Sequence, residues 1–177
     1  WVGKIKENAW HSFPIYKNGI GILKKINPEF IYISHLHTDH LDRNLLSKWF
    51  KLKPKCKIIL KKFKDGRLKK SIELIGFKNI FELEEWKTYD IKNHKITIIP
   101  QMTSNKDNLE SSIEYDLDSS ILIYSKKNKK VFFNNSDNPL SVNDIKKIKK
   151  FVKKKFKKNI HVACLPVGAA SEYPQCF

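Results

Sequence analysis

A chain of 177 residues can build one domain with a real core, and its 41% hydrophobic content fits a soluble globular class. No apolar run reaches the length of a membrane-spanning helix, and three scattered cysteines (Cys56, Cys164, Cys176) without a CxxC pair exclude a zinc ribbon or a disulfide scaffold. A formal charge of +17 invites a nucleic-acid reading, but Arg43 and Arg67 are the only arginines, and a phosphate-reading surface favours the bidentate guanidinium.

The lysines therefore read as a solvated face, with attraction to an anionic substrate left open and nucleic acid disfavoured as a partner. The thiols read as buried or incidental groups in a reducing, cytoplasmic setting. The chain begins at Trp1 and its single methionine is Met102, so a fragment or a processed chain is expected. No signal peptide is visible.

Taken in order, residues 1–28 look irregular, punctuated by Pro14, Gly19, Gly21 and Pro28. Trp10 and His11 within them are candidates either to line a substrate pocket or to plug the domain's edge. Phe30 to Ile33 reads as a buried strand, Arg43 to Phe50 as a short helix, and Lys57 to Leu60 as a second strand. A helix over Gly66 to Ile75 is stopped by Gly76. Short β runs follow at Asn79 to Leu83, Trp86 to Ile91 and His94 to Pro100. The polar stretch 101–118 is longer than an ordinary connection, which marks it as a candidate carrier of function. Ser119 to Ser125 and Lys130 to Asn134 form a hairpin.

Ser141 to Lys158 is the clearest helix. Ser141 and Asp144 have capping-box spacing, and Ile145, Ile148, Val152 and Phe156 make one apolar stripe. That pattern covers a sheet rather than reads DNA. His161 to Leu165 is a last strand, leading into the small-residue loop from Pro166 to Ser171. The order of elements predicts a single α/β layered domain with a mixed sheet over residues 1–177.

The chemistry concentrates in His35-Leu36-His37-Thr38-Asp39-His40, where the first strand ends. Imidazole and carboxylate are ligands that zinc and non-haem iron accept, and a site held by few protein groups keeps a position open for water. His35 and His37, two apart, project to one side of the strand end, while Asp39 and His40 follow a turn and can reach a second face. One segment thus supplies one metal or two neighbouring ones. Asp39 either binds metal or orients the attacking water.

The HxHxDH pattern after an apolar strand resembles that of the metallo-β-lactamase superfamily. The resemblance implies a four-layer αββα sandwich with a divalent metal at one edge, zinc first, with iron or manganese as alternatives, and one or two ions. It also implies that Asp137, at the end of the strand Val131 to Asn134, is the bridging ligand, although an Asp before Asn138-Pro139 also suits a turn. The superfamily's later histidines are not at their usual places. His94 and His161 open their strands rather than follow them, and read as non-ligands, with Glu172 as a candidate oxygen ligand.

A narrower resemblance joins Trp1, Trp10-His11, Ile31 to Leu41, and the ending Gly168 to Phe177 to the metallo-β-lactamase-like part of CMP-N-acetylneuraminate hydroxylases and their bacterial relatives. Those proteins pair this domain with a Rieske iron–sulfur domain, which needs two Cys and two His on one cluster. No such set stands here, so a Rieske domain or redox partner would lie outside this chain. The expected function is a metal-dependent hydrolase-fold enzyme that turns metal-activated water on a small anionic substrate, a phosphate ester or sugar nucleotide. His35, His37, Asp39, His40 and Asp137 would hold metal, and Asp39 would also be catalytic. Trp10, His11, Ser171, Glu172 and Tyr173 are candidates for substrate binding. A sugar-nucleotide hydroxylase domain and a nucleic-acid-processing member of the superfamily are the alternatives.

Overall fold

The computed structural model describes residues 18–38, 40–102, 118–138 and 140–166. Two sheets carry the architecture. In the first, β1 (Phe30–Tyr32), β2 (Lys57–Lys61) and β3 (Ile80–Leu83) lie parallel in the order β1-β2-β3. Parallel neighbours require crossovers, and the helices α2 (Arg43–Leu52) and α3 (Arg67–Ile75) supply them. In the second, β4 (Thr88–Ile91), β5 (His94–Pro100), β6 (Ser119–Ser125) and β7 (Lys130–Asn134) form an antiparallel meander. After the crossover helix α4 (Val142–Phe156), β8 (Val162–Cys164) returns parallel to β7.

The side-chain period of a strand assigns the layers. Along β2, Ile58 and Leu60 point to the helices and join Leu46, Trp49, Leu68, Ile72 and Phe77 in one buried cluster. Ile59, between them, points the other way and meets Ile96, Ile98 and Ile121 of the second sheet. The far face of that sheet, Ile99, Leu122, Val131 and Phe133, is covered by Ile148, Val152 and Phe156 of α4. The result is a four-layer αββα sandwich, as expected. The capping box of α4 is formed: the Ser141 hydroxyl accepts from the Asp144 N–H, and the Asp144 carboxylate accepts from the Ser141 N–H at 2.9 Å.

Two sequence expectations need correction. Residues 19–26 are not irregular but form a helix, α1 (Gly19–Ile26), which precedes β1. The Asn18 side chain caps it by accepting from the Gly21 N–H at 2.8 Å, and Ile20 and Leu23 pack on the helix-side core. Gly21 is a fitting element of the cap, since a Cβ there would lie 2.5 Å from the Asn18 side chain. The strand expected from Trp86 begins only at Thr88. Trp86 has φ +59°, its N–H donates to the Ile98 carbonyl, and its ring packs edge-on to Phe151 of α4 with centroids 5.4 Å apart. Packing of the partly buried indole against α4 outweighs strand propensity there. Gly76 stops α3 as predicted, at φ +118°.

Candidate metal centre

The first sheet delivers two imidazoles. The Ile33 N–H still donates to the Ile59 carbonyl at 3.1 Å, so the chain leaves the sheet at Ser34, and both Ser34 and His35 are buried. The His37 carbonyl then accepts from the N–H groups of His40 (3.0 Å) and Leu41 (2.8 Å). That turn swings His40 back until its ring centroid lies 4.2 Å from that of His35. Leu41 is buried in the helix-side core, and the Asp42 carboxylate accepts from the Leu45 N–H at 2.9 Å as the N-cap of α2. The loop is pinned at both ends.

The second sheet delivers a carboxylate. Beyond β7, Ser136 adopts φ +55° and its N–H donates to the Asn134 side chain at 3.0 Å. Asn135 Nδ2 donates to the Asn138 carbonyl (2.6 Å), and Asn138 Nδ2 donates to the Pro100 carbonyl and to Ser120 Oγ (both 2.8 Å). Asn135 and Asn138 are buried. Buried amides so fully engaged fix a turn rigidly, and Asp137 stands on it.

The three groups converge. Asp137 Oδ2 lies 2.9 Å from His40 Nε2 and 3.9 Å from His35 Nε2. One ligand atom from each of His35, His40 and Asp137 falls within 4.8 Å of the others. His40 hydrogen-bonds the Asp137 carboxyl and, with the nearby charge of His35 and His37, holds it below the usual carboxylate range against a partly opposing burial. Two imidazole nitrogens and a carboxylate oxygen at this spacing suit a divalent transition metal.

His35 also has a partner on its other nitrogen. Asp118 Oδ1 is 3.3 Å from His35 Nδ1, and the Asp118 side chain is nearly buried. A carboxylate there places the imidazole proton on Nδ1 and leaves the Nε2 lone pair facing Asp137, the carboxylate–histidine arrangement common around metal sites. Asp118 stands 83 residues from His35, at the end of the polar stretch before β6, and only the intersheet packing joins the two. Its one sequence signal was its place directly ahead of a strand.

Among the other sequence candidates, His37 is exposed, with its ring edge-on to His35 at 4.6 Å between centroids, and it lies outside the three-residue group. Asp39, Trp10, His11, Ser171, Glu172 and Tyr173 lie outside the described residues. His94 stands at the far end of β5, edge-on to Phe30, and His161 Nδ1 accepts from the Val131 N–H at 3.1 Å at the start of β7. Neither belongs to the His–His–Asp group.

No family model and no curated protein matches the sequence. Solved structures do match in fold. CmlA, a diiron beta-hydroxylase from Streptomyces venezuelae, superimposes with a TM-score of 0.55 at 16% identity over 70% of this chain and 24% of its own. A mutant form of CmlA gives a TM-score of 0.54 with the same identity and coverage. A protein described as a possible metal-dependent hydrolase, from Veillonella parvula DSM 2008, gives 0.52 at 12% identity over 81% of this chain and 49% of its own. The chain thus spans about a quarter of the CmlA chain and about half of the hydrolase. The fold is metallo-β-lactamase-like, and it carries a His–His–Asp group where the two sheets' strands end.

Proposed function

We propose that the protein is a metal-dependent enzyme of hydrolase fold acting on a small anionic substrate, a phosphate ester or a sugar nucleotide. The observation that carries this reading is the convergence of His35 Nε2, His40 and Asp137 within 4.8 Å, with Asp118 behind His35. His35, His40 and Asp137 hold the ion, zinc first and iron or manganese next, and His37 and Asp39 belong to the same ligand segment. A bound divalent ion lowers the pKa of its water to about 7 and so supplies a nucleophile at neutral pH.

The chain's own groups do the rest. Asp118 keeps the His35 proton on Nδ1, so that the lone pair on Nε2 stays available. Asp137, already held ionised below the ordinary carboxylate range by its bond to His40, serves as an anionic ligand throughout the neutral range. Asp39 orients the attacking water. The lysine excess draws an anionic substrate by long-range attraction that salt screens. Trp10, His11, Ser171, Glu172 and Tyr173 are proposed to contact that substrate, and the setting is proposed to be cytoplasmic. Incubation with a phosphomonoester, a phosphodiester and a sugar-nucleotide panel, after loading with zinc, iron or manganese, tests the reading. Metal-dependent turnover that His40→Ala abolishes supports it; unchanged turnover in His40→Ala overturns it.

A second reading has its own support. Two histidines and one carboxylate are also the donor set of non-haem iron oxygenases, and the fold is shared with a diiron beta-hydroxylase. On that reading the chain is a domain of a CMP-sialic-acid-like sugar-nucleotide hydroxylase, served by a Rieske domain or redox partner outside this chain. Dioxygen consumption that requires both iron and an electron donor favours it over hydrolysis.

A further inference from the structure

Behind the His–His–Asp group, two hydroxyl oxygens meet in a way that ligand chemistry alone does not require. Ser34 Oγ lies 3.0 Å from His35 Nδ1 and 3.4 Å from His40 Nδ1. Ser136 Oγ donates to Ser34 Oγ at 2.8 Å and lies 3.5 Å from His40 Nδ1. Ser34 is buried, and its backbone carbonyl accepts from Ser119 Oγ at 2.7 Å, which anchors the main chain that carries the hydroxyl.

We infer that Ser34 and Ser136 form a hydroxyl bridge that positions both metal-facing imidazoles at once, tying the ligand segment after β1 to the ligand turn after β7. This rests on the proposed metal-binding reading of the same site. His35 has a carboxylate to fix its tautomer, and His40 Nδ1 faces these two hydroxyls. A hydroxyl both donates and accepts, so the pair can serve His40 with its proton on either nitrogen. It can therefore accept the Nδ1–H that results when Nε2 turns to a cation. Because Ser136 is one residue from Asp137, the bridge also fixes the distance between the imidazoles and the carboxylate, and it spans 102 positions of sequence. Both serines are positioning residues: neither is placed to touch the ion.

The test is titration of the full chain with Co²⁺ alone, followed by its ligand-field absorption and by competition with a chelator. Loss of an outer-shell partner typically lowers metal affinity about 10- to 100-fold. Ser34→Ala is expected to fall in that range and to shift the cobalt spectrum. Ser34→Thr, which keeps a hydroxyl, is expected to stay within a few-fold of the parent. Ser136→Ala is expected to lose affinity by a smaller factor, and Ser34→Ala/Ser136→Ala together to lose no more than Ser34→Ala alone, because one bridge is broken once. Circular dichroism and thermal melts of each variant separate a folding defect from a site defect. Equal Co²⁺ affinity and spectrum in the parent and in folded Ser34→Ala overturn the bridge while leaving the metal site standing. Absence of Co²⁺ binding by the parent overturns the metal-binding reading and the bridge with it.

Discussion

The two ends of the sandwich hold the same kinds of side chain and use them differently. At the end where β1 and β7 finish, His35, His40, Asp118, Asp137, Ser34, Asn135 and Asn138 answer one another within hydrogen-bonding distance, most of them buried. At the opposite end, where β5 begins, His94 stands against Phe30 with its Nδ1 buried and no hydrogen-bond partner among the described residues. The charges around it are exposed ion pairs, Glu29 with Lys92 at 2.7 Å and Asp90 with Lys126. A buried polar group is expensive unless it is satisfied. A dense, mutually satisfied set is therefore a built site, and scattered surface pairs are solvation.

That contrast can be broken or sharpened by experiment. The largest expected effect is on metal content: Asp137→Ala or His40→Ala removes a proposed ligand and should lower divalent-metal affinity by more than about 100-fold, beyond the outer-shell range. His94→Ala should leave it unchanged. Chelator competition on the three variants reads the difference. Next, Asp118→Asn keeps an acceptor beside His35 but removes its charge, and affinity should fall about 10-fold; Asp90→Asn, its surface counterpart, should bind metal like the parent.

Smaller effects concern stability. Asn138→Ala unties Pro100 and Ser120 from the ligand turn and leaves a buried carbonyl unsatisfied, which should cost about 1–3 kcal/mol in urea unfolding. Lys92→Ala at the far end should stay within about 0.5 kcal/mol. The acid limb gives the smallest signal. The Asp137 carboxyl is depressed in the metal-free fold by its bond to His40. Its contribution is therefore present above the unfolded carboxyl value of about 3.9 and is lost as pH falls through the lower folded value. Asp137→Asn should flatten the pH dependence of stability below about pH 4 relative to the parent, as acid titrations of thermal melting would show.

Much of this was legible in the residues. The apolar run before His35, the strand that precedes the Asp137 turn and the apolar stripe of α4 each follow a pattern that burial enforces, and they set the layers. Local signals also located the capping box and the stop at Gly76. Two local readings failed for physical reasons: glycines at 19 and 21 suggested irregularity where Asn18 caps a helix and needs room at Gly21, and Trp86 looked like a strand residue but is packed against α4. Long-range partners were the real gap. Asp118, Ser34 and Ser136 are common polar residues with no local pattern, and they gain meaning only when the two sheets bring positions 34, 118 and 136 to one place. For His37 and Asp39 a ligand role is a proposal that rests on the motif alone.

Elemental analysis of the purified chain beside His40→Ala tests the central claim most directly. The account predicts one or two divalent transition-metal ions per folded chain and their loss in the variant. A folded parent with no metal after growth and reconstitution, or a variant that retains the parent's full complement, would contradict it.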